Sequence, residues 1–246
     1  MAKLVSDRIA LVTGASRGIG AATALALAKA GAHVLAVART VGGLEELDDQ
    51  IRGAGGSATL VPLDLKDTAG IGRLAEAIGQ RYGRLDILVA NAAIVGPSSP
   101  LGHVEPKDWE AVLAVNVTAN WHLIRFLDPL LQKAEAGRAV FVTSGAASST
   151  RAYRGPYSMS KAALDALART YAAETAETKV RVNLLNPGPT RTRMRATVMP
   201  GEDPAKLTKP EQVAEKILEL CLPDVTESGK LYDYPSGRML SFRQPG

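Results

Sequence analysis

Tyr157 and Lys161 stand four positions apart and form a pair of residues able to move a proton. The run that follows Tyr157 is rich in helix formers, and an i, i+4 spacing on a helix places two side chains on one face. A free tyrosine titrates at about 10, and a neighbouring ammonium group lowers the pKa of a phenol because it favours the phenolate. The spacing therefore predicts an acid–base pair with a lowered tyrosine pKa. Ser144 lies thirteen positions before the tyrosine. A surface helix that carries an aromatic and a charge by chance is the alternative reading of the pair taken alone.

A glycine-rich turn follows the first strand-like run. It reads Thr13-Gly14-Ala15-Ser16-Arg17-Gly18-Ile19-Gly20, so its glycines are spaced G-x-x-x-G-x-G rather than G-x-G-x-x-G. Glycines allow a tight turn and close backbone approach, and the N-terminus of the next helix offers free N–H groups to a pyrophosphate. We expect the residues from Gly14 to Gly20 to bind a dinucleotide, with an ordinary glycine-rich turn as the alternative.

The residue at the end of the second strand distinguishes between the two nicotinamide dinucleotides. An acidic residue there would accept hydrogen bonds from the ribose 2′-hydroxyl of NAD, but this chain has Arg39. A guanidinium can bind the 2′-phosphate of NADP through charge-assisted bonds, and Arg17 in the glycine turn can reach the same phosphate. NADP(H) is therefore the predicted cofactor. A solvated loop arginine is the alternative for Arg39.

Short apolar runs alternate with helix-like segments along the chain. The strand-like runs are Ile9–Thr13, His33–Ala38, Ala58–Leu63, Ile87–Ala90, Ala139–Thr143, Val180–Leu185 and Lys230–Asp233. The helix-like segments lie near residues 18–30, 43–54, 67–82, 106–133, 156–177 and 210–221. This alternation predicts an α/β fold, a doubly wound parallel sheet of about seven strands with helices on both faces. We expect Pro129 to end or kink the long helix near 106–133.

Composition limits the classes of protein to which the chain can belong. With 246 residues and 46% hydrophobic content, the chain can bury a sizeable core. The net charge of +4 comes from interspersed lysines and arginines, so no nucleic-acid footprint is expected. A single cysteine, Cys221, and the lack of a signal-peptide layout or membrane span predict a cytoplasmic protein with no membrane partner. His103 and His122 lack metal-ligand spacing, so we predict no metal.

Taken together, these motifs make the sequence resemble the short-chain dehydrogenase/reductase family, in its single-domain Rossmann-like form of about this length. The match covers nearly the whole chain and implies one domain over 1–246, with a cofactor half up to about 145 and a catalytic helix and substrate loop beyond it. The matching positions are the cofactor turn from Thr13 to Gly20, Asp64 with Leu65 at the adenine, Asn91 and Ala92 after the fourth strand, Asn116, Ser144, Tyr157, Lys161, and Pro187, Gly188, Thr190 and Thr192 at the nicotinamide.

The resemblance implies an NADP(H)-dependent oxidoreductase that interconverts a carbonyl and a secondary alcohol by hydride transfer, a ketone or 3-oxoacyl reductase type. Tyr157 would act as general acid and base, and Lys161 would lower its pKa and hold the nicotinamide ribose. Ser144 would orient the substrate carbonyl, and Asn116 would hold a water that links Lys161 to solvent. A sensor that binds NADP(H) with little turnover is the alternative on the same fold.

Two departures from the family pattern concern the pocket and the assembly. Ala93 replaces a frequent glycine after the fourth strand, and the C-terminal tail lacks the D-G-G segment that helps form subunit contacts in many members. A homodimer or homotetramer is the expected assembly, and a small carbonyl or alcohol compound the expected substrate. The arginines near the pocket are read either as contacts for an anionic substrate or as solvated or subunit-contact residues, and the second reading is preferred. They are Arg151, Arg154, Arg191, Arg193 and Arg195.

Overall fold

One β-sheet runs through the computed structural model, which describes residues 4–149 and 151–242. Its strands, in chain order, are β1 Ile9–Thr13, β2 His33–Ala38, β3 Ser57–Pro62, β4 Ile87–Ala90, β5 Arg138–Val142, β6 Arg181–Asn186, β7 Lys230–Asp233 and β8 Arg238–Ser241. Their order across the sheet is β3-β2-β1-β4-β5-β6-β7-β8, and neighbouring strands are parallel except for the antiparallel pair β7–β8. The predicted doubly wound parallel sheet is therefore confirmed.

Helices connect the parallel strands. They are α1 Gly18–Lys29, α2 Val41–Gly53, α3 Thr68–Tyr82, α4 Pro106–Leu113, α5 Ala119–Leu131, α6 Ala146–Ser149, α7 Gly155–Glu174, α8 Arg193–Val198 and α9 Pro210–Leu220. Two apolar clusters fill the space between helices and sheet, one containing Phe141 and Leu123 and the other containing Val12 and Leu27. Helices thus cover both faces, as predicted. In the described parts of the chain, no helix has the length and apolar character needed to cross a membrane.

The direction in which the strands are added reverses between β1 and β4. The chain adds β2 and β3 on one side of β1 and then returns to place β4 on the other side. In open α/β sheets, ligands bind in the crevice at the carboxyl ends of the strands where this order reverses. The turn after β1 and the residues after β4 are therefore expected to line a ligand site.

The predicted long helix near residues 106–133 is irregular at a different place from the one expected. Pro129 lies inside α5, which continues to Leu131, so the proline does not end the helix where it occurs. The break is instead a π-helical turn over Ala114–Thr118, between α4 and α5. Such turns are frequent at functional sites, and this one contains Asn116.

The eighth strand was not predicted, and the estimate of about seven strands was one too low. β8 forms a hairpin with β7 through a tight turn that ends at Gly237, whose φ of +65° suits glycine. The four residues of β8 are exposed at the edge of the sheet and show no alternation of apolar and polar side chains. A short edge strand of this kind leaves no period-two signal in the sequence.

Candidate active site

A cleft of about 800 Å³ opens at the carboxyl ends of the strands. Of the predicted site residues, those that line it are Gly14, Ser16, Arg17, Gly18, Ile19, Arg39, Asp64, Leu65, Asn91, Ala92, Ser144, Tyr157, Lys161, Pro187, Gly188, Thr190 and Thr192. Gly20 and Asn116 do not line the cleft, and both are buried behind its wall. The fold thus brings together segments that are far apart in the chain.

The glycine turn is locked against the end of β4. The Thr13 hydroxyl accepts hydrogen bonds from the backbone N–H groups of Asn91 and Ala92, both at 3.0 Å, and Asn91 Nδ2 donates to the Thr13 carbonyl at 2.9 Å. A Cβ at Gly20 would overlap the Gly14 carbonyl oxygen, and Gly14 itself has a φ of +68°. Gly20 is therefore required for close packing of the turn, while Gly14 supplies the backbone conformation.

Two arginines line the same end of the cleft as the glycine turn. Arg17 is exposed and precedes α1, and Arg39 is exposed at the end of β2. Arg39 Nη1 lies 3.9 Å from Asp64 Oδ2, a loose pair between side chains that are 60% and 44% exposed. Such an exposed pair is worth at most about 1 kcal/mol, so the Arg39 guanidinium can turn toward another anion at little cost. The charge and the exposure of these side chains suit a phosphate group.

Ser144 and Tyr157 are neighbours in the lining of the cleft, and the Ser144 hydroxyl can hydrogen-bond the phenol. Ser144 follows β5, and Tyr157 lies in the first turn of α7, one turn before Lys161. Burial raises the pKa of Tyr157, and the hydrogen bond with Ser144 opposes this rise only in part. The expected lowering of the tyrosine pKa is therefore wrong for this arrangement, because desolvation of the phenolate dominates.

Lys161 is 2% exposed and lies beneath the tyrosine ring, with Nζ 5.8 Å from the ring centre. Its Nζ donates to the Val142 carbonyl at 2.8 Å, so one of its three donors is held by the end of β5. Burial lowers the pKa of Lys161 to about 8, against the opposing effect of the nearby Asp165 carboxylate. The Lys161 side chain can therefore lose or gain a proton near the pH at which many enzymes work.

Asn116 links the π-helical turn to the wall of the cleft. Its Oδ1 accepts from Ile94 N at 2.9 Å, and its Nδ2 donates to Ile94 O at 2.8 Å and to Ser160 Oγ at 2.9 Å. The backbone carbonyl oxygen of Asn116 accepts a hydrogen bond from Asn120 Nδ2 at 2.8 Å. The side chain therefore holds the segment after β4 against α7, and its expected role in holding a water for Lys161 stays a prediction.

Asn186, at the end of β6, was not among the predicted site residues. Its Oδ1 accepts from Gly145 N at 2.9 Å and from Gly188 N at 3.1 Å, while its Nδ2 donates to Asp233 Oδ1 at 2.7 Å. One side chain thus ties the segment after Ser144, the segment after β6 and the end of β7 together. Its position in the sequence could have identified it, because a polar residue at the carboxyl end of a buried parallel strand lies at the edge of the sheet where ligands bind.

The segment after β6 forms the remaining wall of the cleft. Gly188 has a φ of +64°, and Thr192 caps the start of α8 by accepting from Arg195 N at 3.1 Å. The Thr192 methyl group would lie 3.2 Å from a Cβ placed on Gly18, so this segment covers the glycine turn. The long irregular stretch that the sequence indicated near 187–209 thus contains a short helix and borders both halves of the cleft.

No cluster of three or more His, Cys, Asp or Glu side chains in residues 4–149 and 151–242 has the arrangement needed to hold a metal ion. The described cleft is lined by a phenol, several hydroxyls, an ammonium group, one carboxylate and several guanidinium groups. These groups can transfer protons and bind anions.

Known proteins share this sequence and this fold. The family described as short chain dehydrogenase matches residues 8–203. The oxidoreductase YciK of Escherichia coli (strain K12) is 36% identical over 96% of this chain and 94% of its own length. The 2,3-dihydro-2,3-dihydroxybenzoate dehydrogenase of Bacillus subtilis (strain 168) is 31% identical over 89% of this chain and 90% of its own.

A crystal structure of a short chain dehydrogenase from Shigella flexneri 2a str. 301, complexed with NADP, superposes with a TM-score of 0.91. It is 36% identical to this chain, of which it covers 96%, and the match takes in 100% of that structure. With a family match over residues 8–203 and the same fold, the chain belongs to the short-chain dehydrogenase family and is an oxidoreductase of that family.

Proposed function

We propose that this protein uses NADP(H) to interconvert a carbonyl compound and a secondary alcohol. The observation that carries the proposal is that Ser144 and Tyr157 line the same cleft as the glycine turn, with the Lys161 ammonium group beneath the tyrosine ring. A proton donor, a second hydroxyl and a dinucleotide cradle in one cleft are the groups that this reaction needs.

The described residues fit the dinucleotide. The tight glycine turn and the N-terminus of α1 suit a pyrophosphate, and Arg17 and Arg39 suit a 2′-phosphate. The Shigella flexneri relative was crystallised with NADP, in line with this assignment. When bound, NADP(H) supplies or accepts the hydride. Asp64, Leu65, Asn91 and Ala92 would border the adenosine side of the cofactor, and Pro187, Gly188, Thr190 and Thr192 its nicotinamide side.

The catalytic step assigned to this chain is a proton transfer. Tyr157 Oη gives its proton to the substrate oxygen during reduction and takes it back during oxidation. The Ser144 hydroxyl donates a hydrogen bond to the same oxygen and orients it. The Lys161 ammonium group, 5.8 Å from the centre of the Tyr157 ring, would place a positive charge near the phenol while the proton is transferred.

The remaining assignments concern the organisation of the protein. We propose a single domain, with a nucleotide half up to about residue 145 and a substrate half beyond it. A homodimer or homotetramer in the cytoplasm, acting on a small molecule, is the setting that best suits a family member of this length. The Bacillus subtilis relative is named for a cyclic carboxylate, and 3-oxoacyl substrates are a further class to screen.

Replacing the tyrosine tests the proposal. Tyr157→Phe should lower the rate of NADPH oxidation with a panel of ketones by about 10²–10⁴-fold, because the general acid is lost, while the NADPH Kd stays within about twofold. Tyr82→Phe is the matched control, since its phenol lies on α3 outside the cleft. Near-normal turnover in Tyr157→Phe would refute the proton-transfer role. NADPH binding by the wild type without turnover of any carbonyl compound would favour the sensor alternative.

A further inference from the structure

A second cavity of about 520 Å³ adjoins the cleft at the start of α7. Two residues, Arg151 and Ser158, line both the cleft and this cavity and so mark the junction between them. The other residues that line the second cavity are mostly apolar. They are Pro100, Leu101, Ala147, Ala152, Tyr153, Gly155, Met159 and Ala162. A ligand in the cleft could extend past the junction into apolar surroundings.

The junction lies at the positive end of a long helix. α7 is 20 residues long and begins at Gly155, with Pro156 in its first turn. Backbone N–H groups in the first turn of a helix have no acceptor within the helix, and the helix dipole adds partial positive charge there. This end of α7 therefore favours a negatively charged group, although a helix end alone does not make a site.

Ser158 supplies an independent sign of a ligand. It is 9% exposed, and its Oγ is buried without a hydrogen-bond partner among the described residues. A buried hydroxyl left unpaired is destabilising, so most such groups in native proteins have a partner. Ser158 lines both cavities, and its Oγ is closed off in this conformation, so a ligand at the junction provides the partner once the side chain rotates toward it.

The structure distinguishes, by their contacts, the five arginines that the sequence could not assign to substrate binding or to a solvated surface. Arg195 forms a two-point ion pair with Glu202, in which Nη2 lies 2.6 Å from Oε1, and Arg191 does not line the cleft. Arg154 donates to the Val198 carbonyl at 2.9 Å and keeps its charge unpaired. Arg151 forms no ion pair or hydrogen bond with another described residue.

The fifth arginine, Arg193, lines the cleft next to Thr192, on the segment that covers the glycine turn, and does not line the second cavity. Among the described residues that line the two cavities, Asp64 is the one carboxylate, and it is paired with Arg39 at the cofactor end. The substrate end therefore carries uncompensated positive charge from Arg151 and Arg154.

We propose that the junction is an anion subsite, and that the substrate is a carbonyl or alcohol compound bearing a carboxylate or phosphate group. Arg151 and Arg154 bind the anionic group, and Ser158 Oγ donates a hydrogen bond to it after the side chain rotates toward the junction. This inference rests on the proposed function for the nature of the reacting group, whereas the anion subsite itself is independent of turnover.

Ligand-observed NMR titration tests the subsite with the protein saturated with NADP⁺, so that Arg17 and Arg39 are engaged by the cofactor. The probes are cyclohexanecarboxylate, cyclohexyl phosphate and the neutral cyclohexanecarboxamide. We expect at least one anion to bind about tenfold or more tightly than the amide, because each hydrogen bond to a charged group is stronger than a neutral one. The tighter of the two anions identifies the group as carboxylate or phosphate.

Arg151→Gln and Ser158→Ala should each abolish most of the preference for the anion, while Arg191→Gln, on the neighbouring segment but outside the cleft, should keep it. Ser158→Ala should also leave the thermal midpoint unchanged or raise it, because an unpaired buried hydroxyl is removed. Equal binding of anions and amide, or an equal loss in Arg191→Gln, would overturn the subsite.

The titration separates the failure of this inference from failure of the proposed function. None of the three probes carries a ketone, so anion binding is measured even in a protein that reduces no carbonyl compound. Selective anion binding without turnover would retain the subsite and refute the reductase assignment. Reduction of neutral ketones without an anion preference would retain the reductase and overturn the subsite.

Discussion

The preference for NADPH over NADH should depend on Arg39. Removing the guanidinium in Arg39→Ala eliminates charge-assisted hydrogen bonds to the 2′-phosphate, worth about 1.5–3 kcal/mol. When the wild type binds NADPH, it loses the ion pair between Arg39 and Asp64. The free energy of this ion pair is therefore subtracted. The 3.9 Å separation and the exposure of both side chains limit that pairing to about 1 kcal/mol or less. The net loss is roughly 0.5–3 kcal/mol, which corresponds to an NADPH Kd weaker by about 2- to 150-fold.

Fluorescence titration of NADPH and NADH on wild type and variants measures this effect without a substrate. The NADH Kd should stay nearly constant in Arg39→Ala because NADH has no 2′-phosphate, and Arg39→Asp should reverse the preference through repulsion of the phosphate. Arg52→Ala is the control, since Arg52 is an exposed arginine on α2 that pairs with Asp48 and does not line the cleft. Equal weakening of both cofactors in Arg39→Ala, or no change in either, would refute the reasoning.

Two further predictions concern the glycine turn and the buried lysine. Gly20→Ala should abolish NADPH binding in the same titration because its methyl group meets the Gly14 carbonyl, whereas Gly42→Ala, with nothing within 4 Å, should bind normally. Burial lowers the pKa of Lys161 from 10.5 to about 8, so the unfolded chain keeps this proton to a higher pH than the folded one. Stability should therefore rise from about pH 8 to 10.5, and Lys161→Met should remove up to about 3 kcal/mol of that rise in calorimetry. An unchanged pH slope in Lys161→Met would contradict the buried, charged lysine.

The parts of the site that were predicted from the sequence depend on short-range patterns. The glycine spacing from Gly14 to Gly20 and the four-residue step from Tyr157 to Lys161 each specify local geometry. Placement of each segment after a strand is also local, because carboxyl ends of parallel strands meet at one edge. Arg39 was recognisable by the same logic, as the residue that follows β2.

The features that were missed or misjudged depend on long-range packing. The raised pKa of Tyr157 follows from how deeply the phenol is buried, and no spacing in the sequence reports burial. The π-helical turn around Asn116 is stabilised by bonds to Ile94 and Ser160, which are 22 and 44 positions away. The sequence likewise could not show that Arg195 is ion-paired whereas Arg151 is not, because the pairing depends on Glu202 folding back onto Arg195.

The hydrogen bonds of the Asn186 side chain to three segments affect which parts of the molecule unfold together locally. Regions of a native protein unfold locally as cooperative units, and hydrogen bonds shared between units make them open together. Through Asn186, Asp233 at the base of the C-terminal hairpin is bonded to the same side chain as Gly145, next to Ser144. Fraying of β7 and β8 would therefore reach Ser144 without passing through the core, and hydrogen exchange at Gly145 should follow exchange in that hairpin.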